Sequence, residues 1–224
     1  MKNGLSLWFG YLKHPVYLKN EKIQWPSFFY LLVIVYLFSL PLAGISGVVV
    51  QFLHLQGLPH YLKRISQLKL WEVIFFVPVM EETLFRLLLK PNYRNILFFS
   101  FLLLLPVVTN VVKARYSFAL LGAVIALLPL SLLLKKGYLK KAQKVFLKYF
   151  SLFFYLSCLL FGLGHVTNFH PLTVSVLLLA PLLTLPQLFL GTVLGFVRMK
   201  YGIVYSILFH FLINFPPLIL LLIK

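Results

Sequence analysis

Between Trp25 and Gln51 the chain carries no charged side chain, and apolar stretches of similar kind recur to its end. A stretch of about 20 apolar residues has one stable form in lipid, the helix, because hydrocarbon offers backbone N–H and C=O groups no partner. Seven such stretches can be drawn, over 27–50, 71–89, 95–112, 116–134, 146–166, 172–197 and 203–223. The predicted fold is therefore all-α, a polytopic transmembrane helix bundle of about seven spans. Composition agrees: 61% of residues are hydrophobic, against about 45–50% in soluble domains, and mean hydropathy is +0.96. Pro181 and Pro186 are expected to kink or split the sixth span, and Pro78, Pro106 and Pro129 to interrupt theirs. The chain divides into an N-terminal interfacial segment, 1–26, and a single transmembrane domain, 27–224. The first segment sets Lys2, Lys13, Lys19 and Lys22 among aromatics and lacks the short apolar core and cleavage site of a signal peptide.

The formal charge of +17 does not point to nucleic acid, because the basic residues lie in short loops between apolar stretches. Lys and Arg in such loops set topology by remaining cytoplasmic, where they also meet anionic headgroups. With the N-terminus inside, fourteen basic residues fall on the cytoplasmic side and six outside. The expected location is a bacterial cytoplasmic membrane, crossed many times, with the N-terminus cytoplasmic. Cys158, the single cysteine, can form no internal disulfide and reads as a small apolar residue in a packed helix.

There is no Asp, and of the four acidic residues three, Glu72, Glu81 and Glu82, fall in the run Trp71 to Leu89. A carboxylate at membrane depth costs roughly 2.5–3.5 kcal/mol on insertion scales, so those present there report a use. Residues four apart share a helix face, which lets Arg86 pair with Glu82 and hold it ionised. Adjacent positions point about 100° apart, so Glu81 is left facing the bundle interior without a local cation, as a general base for water would be. A structural Glu–Arg pair clamping helices is the plainer alternative. Glu72 lies near the start of its span and reads as solvated.

Two further groups recur at helical spacing. In FGLGHVTNFH, His165 follows Phe161 by one turn, with Gly162 and Gly164 allowing a helix or substrate backbone to approach. In ILFHFLINFPP, His210 and Asn214 stack on one face of the last span. They could donate to a developing oxyanion, His210 could bind a metal, or the pair could be an interhelical polar clamp. His14, His54, His60 and His170 fall in loops or connections.

Glu81-Glu82-x-x-x-Arg86, Phe161-x-x-x-His165 and His210-x-x-x-Asn214, in that order, resemble the three motifs of the CPBP family of CAAX-processing and bacteriocin-processing or immunity proteins, also called ABI. The series Gln187, Gly191, Gly195, Arg198 and Gly202 is similar to the family's pattern before its last motif, and the resemblance covers about 71–215. It implies an intramembrane endopeptidase acting on a membrane-associated peptide or protein. Glu81 would activate water, His165 would hold or polarise it, His210 and Asn214 would stabilise the oxyanion, and Glu82 and Arg86 would orient the set. If zinc takes part, His165, His210 and Glu81 or Glu82 would be its ligands, the two-His-one-Glu pattern; without it, Glu81 and His165 activate water unaided. The chain departs from compact members by two extra spans between Arg86 and His165, and by Leu87 where Gly often follows the Arg.

Two other functions fit such a scaffold. A non-catalytic immunity or binding protein would have no need to keep Glu81 and His165 together, and a transporter built on Glu and His relays would more often show an inverted repeat. Prenylated CAAX peptides require a host that makes them, so other membrane-anchored substrates are expected.

Overall fold

The computed structural model describes residues 4–55, 72–113, 116–134 and 137–222. His60, the side chain of Glu72 and the first three residues lie outside what is described. All regular secondary structure among the described residues is helical, without strands. In chain order they form α1 (Gly4–Lys13), α2 (Trp25–Phe52), α3 (Val77–Arg86), α4 (Tyr93–Val112), α5 (Tyr116–Ser131) and α6 (Tyr138–Lys148). Then follow α7 (Phe150–Gly164), α8 (Val174–Leu178), α9 (Ala180–Leu183), α10 (Leu185–Tyr201) and α11 (Ile203–Leu222). A π-helical turn, Glu72–Phe76, leads into α3, and 3-10 turns follow α3 (Leu87–Leu89) and α7 (His165–Asn168).

Helices long and apolar enough to cross a membrane run over Trp25–Phe52, Tyr93–Val112 and Phe150–Asn168, with shorter apolar helices at Ala119–Ser131 and Ile203–Phe215. Their outward faces are apolar: Leu40, Val48, Phe101, Leu120, Leu128 and Leu152 are all exposed. That surface suits lipid.

The expected sixth span, 172–197, is broken into α8, α9 and α10 on the two prolines. Each proline opens a new piece at its first positions, where a missing N–H costs nothing. Carbonyls near the breaks are satisfied from within: Thr184 Oγ1 donates to Ala180 O at 2.8 Å, and Ser46 Oγ of α2 lies 2.9 Å from Leu182 O. Pro78 likewise sits at the start of α3, behind the π-turn. Pro106 and Pro129 do not interrupt their spans. α4 continues across 106, and Pro129 lies in the last turn of α5; neighbouring backbone and local adjustment absorb the single bond each removes. The fifth span begins at Phe150 rather than 146, because α6, with four lysines among its eleven residues and no buried side chain, is a separate surface helix ending at Lys148.

α10 is the central element. Every residue from Val193 to Tyr201 is buried, and the helix packs against α7, α11 and α2. Its contact with α7 depends on missing side chains: a Cβ on Gly195 would come within 2.7 Å of the Phe154 ring, and one on Gly162 would collide with Leu188. α1 folds onto α2 and α10, with Trp8 and Tyr11 in the same core as Phe154 and Phe196. α3 is held against α7 and α11, and this brings the three sequence motifs together.

Candidate active site

Glu82 and Arg86 are wholly buried, one turn apart on α3, with Arg86 Nη1 donating to Glu82 Oε1 at 3.0 Å. Among the described residues Arg86 Nε and Nη2 have no hydrogen-bond partner; the guanidinium lies 3.7 Å from the centre of the Phe161 ring. A cation over an aromatic face in a desolvated setting is attractive by up to about 2 kcal/mol. The same ring stands edge-on to His165 and His210, at 4.9 and 5.8 Å between centroids. Phe161 is therefore the apolar floor on which both imidazoles and the guanidinium rest.

Glu82 is also tied to α11. Ser206 Oγ donates to its Oε2, and Nδ1 of His210 lies 3.1 Å from Oε1. A carboxylate paired with Arg86 only accepts, so His210 Nδ1 carries the proton. His165 is set by the same logic: its Nδ1 lies 2.8 Å from the Phe161 carbonyl oxygen, which can only accept. Both rings are thus fixed with Nδ1–H inward and Nε2 free.

Both Nε2 atoms face Glu81. His165 Nε2 lies 3.8 Å from Oε1 and His210 Nε2 3.5 Å from Oε2. These separations exceed a direct hydrogen bond and suit a small group held between them. His210 is almost wholly buried, whereas the Glu81 and His165 side chains are 25% and 21% exposed, so the cluster opens on their side. Asn214, one turn beyond His210, is half-buried and makes no hydrogen bond among the described residues. Five of the six residues singled out in sequence, Glu81, Glu82, Arg86, His165 and His210, form one connected cluster drawn from α3, α7 and α11.

Sequence reasoning missed Ser206. It lies four residues before His210, so 206, 210 and 214 share one face of α11, and that spacing was the available signal. It also missed how α3 ends. Arg198 of α10 donates from Nε to Arg86 O at 3.1 Å and from Nη2 to Leu87 O at 3.3 Å, satisfying carbonyls that the end of α3 leaves open.

The family described as Rce1-like, type II CAAX prenyl endopeptidase Rce1-like, matches residues 63–216, more than half of the chain. The chain belongs to this family. All six motif residues fall inside the matched region, while α1 and α2 precede it. No curated protein and no solved structure matches the chain. Membership makes the protein an endopeptidase of the membrane at the level of the family, and the apolar helices agree.

A metal cage is a separate matter. Among the described residues no group of three or more His, Cys, Asp or Glu side chains is disposed to hold a metal ion. Glu82 and the Nδ1 atoms of both histidines are already engaged, so the donors that would hold a metal are Glu81 and the two Nε2 atoms around the gap, a two-His-one-Glu set.

Proposed function

We propose that the cluster hydrolyses a peptide bond of a membrane-associated polypeptide, using a water molecule held between Glu81 and His165. The observation that carries this reading is the convergence of two imidazole Nε2 atoms on one carboxylate, each ring locked from behind. The separations leave room between these groups for a water, which can both donate to Glu81 and His165 and accept from His210.

Charge fixes the proton count. Glu81 and Glu82 bring two negative charges and Arg86 one positive, so the buried cluster is neutral when it holds one further proton, shared among Glu81, His165 and His210. Neutrality is favoured where charge is poorly solvated. With that proton on His210 Nε2, the ring donates to a developing oxyanion, and the free amide of Asn214 supplies a second donor.

The water oxygen attacks the carbonyl carbon while its proton passes to Glu81, beside His165. The tetrahedral oxyanion is held by His210 and Asn214. Collapse breaks the C–N bond, and the proton on Glu81 passes to the departing amine nitrogen, leaving one new amine and one new carboxylic acid, which ionises by releasing its proton to solvent. Glu82, Arg86 and Ser206 touch no substrate here; they hold His210 in register. The exposed edge at Glu81 and His165 is where the polypeptide would arrive, near its anchored end.

The test compares membrane-proteome N-termini in cells expressing wild type, Glu81→Gln or His165→Ala. Wild-type-specific new termini absent from both variants are expected. Termini that persist in a variant made at normal level would overturn the assignment.

A further inference from the structure

A cavity of about 350 Å3, separate from the Glu81 cluster, opens at the end of the bundle where the α1–α2 loop meets the ends of α3 and α10. Its lining includes Lys90, Arg198, Asn20, Asn92 and Asn95, with no carboxylate among the described residues. Lys90 and Arg198 are 7% and 3% exposed. Two cations so buried and so close are costly unless a counter-charge is present.

Among the described residues no carboxylate forms an ion pair with either cation, and Glu82 reaches Arg198 only through its field. Glu82 is enclosed by Arg86, Ser206 and His210, and Glu21 reaches Lys200 at 3.4 Å instead. Backbone and amide oxygens take only part of the donor capacity. Lys90 Nζ donates to Asn20 Oδ1 and, at 3.0 Å, to Met199 O, which leaves its third N–H. Arg198 spends Nε and Nη2 on the end of α3, on backbone oxygens that carry no full charge.

The backbone holds this arrangement open. Gly202 adopts φ of +107°, and a Cβ there would stand 3.0 Å from Asn20 Nδ2, so a side chain would press on the amide that positions Lys90.

We propose that this cavity binds a phosphate group. A guanidinium edge and an ammonium, both short of counter-charge and flanked by amides, match the charge and the acceptor oxygens of phosphate. The phosphate can come from the headgroup of an anionic phospholipid or from a small soluble phosphate. Lys19, Lys22, Lys90, Arg94 and Lys200 all belong to the basic side of the chain, where an anionic leaflet would lie. Arg198 joins the cavity to the active cluster, because its Nε holds the Arg86 carbonyl.

The experiment titrates detergent-purified full-length protein with phosphatidylglycerol, phosphatidylcholine or inorganic phosphate, reading bound lipid by native mass spectrometry and the unfolding midpoint. Asn20→Asp is the decisive variant: it keeps an acceptor for Lys90 and places the missing negative charge in the cavity. Wild type is expected to bind phosphatidylglycerol, inorganic phosphate or both, and Asn20→Asp to fold normally with affinity at least about tenfold weaker, the loss of one charge-assisted contact. A response to phosphatidylglycerol alone names the headgroup as the source; a response to inorganic phosphate names the free anion. No response to either, equal binding of phosphatidylcholine, or unchanged affinity in folded Asn20→Asp would overturn the proposal.

Discussion

His210 on α11 places Nδ1 3.1 Å from Glu82 Oε1 on α3, across 128 residues of chain. This contact sets which imidazole nitrogen is free, and so it links the Glu82–Arg86 pair to the side of the ring that faces Glu81. Glu82 acts through His210: it holds and orients, while Glu81 faces the gap.

Removing Arg86 leaves Glu82 buried without its guanidinium partner. Arg86→Leu should cost about 3–5 kcal/mol, the usual penalty for breaking a buried ion pair from one side. Ser206→Ala removes one donor and should cost about 1–3 kcal/mol. Denaturant unfolding in detergent gives both values, with Arg86→Leu expected to be the larger.

The α7–α10 contact has no room for a methyl at residue 195, and Phe154 is wholly buried, so its ring has nowhere to turn. Gly195→Ala should destabilise by about 1–3 kcal/mol, as overpacking does. The shift of α7 should also displace His165 and lower activity. An unfolding midpoint equal to wild type would contradict the packing described here.

Burial, and secondarily Arg198, hold Lys90 at about 8, below the ordinary lysine value. Its neighbours are the Arg198 cation, the Asn20 amide and the ring of Tyr17, with no carboxylate among the described residues to restore the charge. As pH rises through about 8 the cavity loses a positive charge, so phosphate affinity should fall. The folded state binds fewer protons here than the unfolded chain, so this group's contribution to stability rises with pH between about 8 and the free lysine value. Titrations at pH 7 and pH 9 test the first statement, with Lys90→Gln expected to flatten the difference.

Water activated by side chains alone gives a protein whose cleavage survives chelation. Purified protein should carry substoichiometric zinc by elemental analysis and keep its rate in EDTA. Stoichiometric zinc that disappears in His165→Ala/His210→Ala would require a metal-bound nucleophile instead.

The helical class was legible because lipid admits few alternatives for long apolar stretches. The pairing of Glu82 with Arg86 was legible because it is local, fixed by four residues of α-helix. The break at Pro181 and Pro186 was legible from proline chemistry, but the continuity of α4 across 106 was not, since that depends on neighbours the sequence does not name. Ser206 was missed because a hydroxyl in an apolar helix usually satisfies itself on its own backbone. Its role appears only when α3 brings Glu82 opposite. Arg198 was read as part of the family's pattern and among the cytoplasmic basic residues, whereas it reaches inward to close the end of α3. In each case the missing information was a contact between elements distant in sequence.

The most direct test of the central claim is the cleavage rate of purified Glu81→Gln beside wild type in liposomes, on a substrate identified from the new termini. Gln keeps the size and polarity of Glu81 but cannot take the proton. The account predicts an unchanged unfolding midpoint and a rate lower by about 10²–10⁴, the usual share of general base catalysis. A folded Glu81→Gln that cleaves within a few-fold of wild type would contradict it.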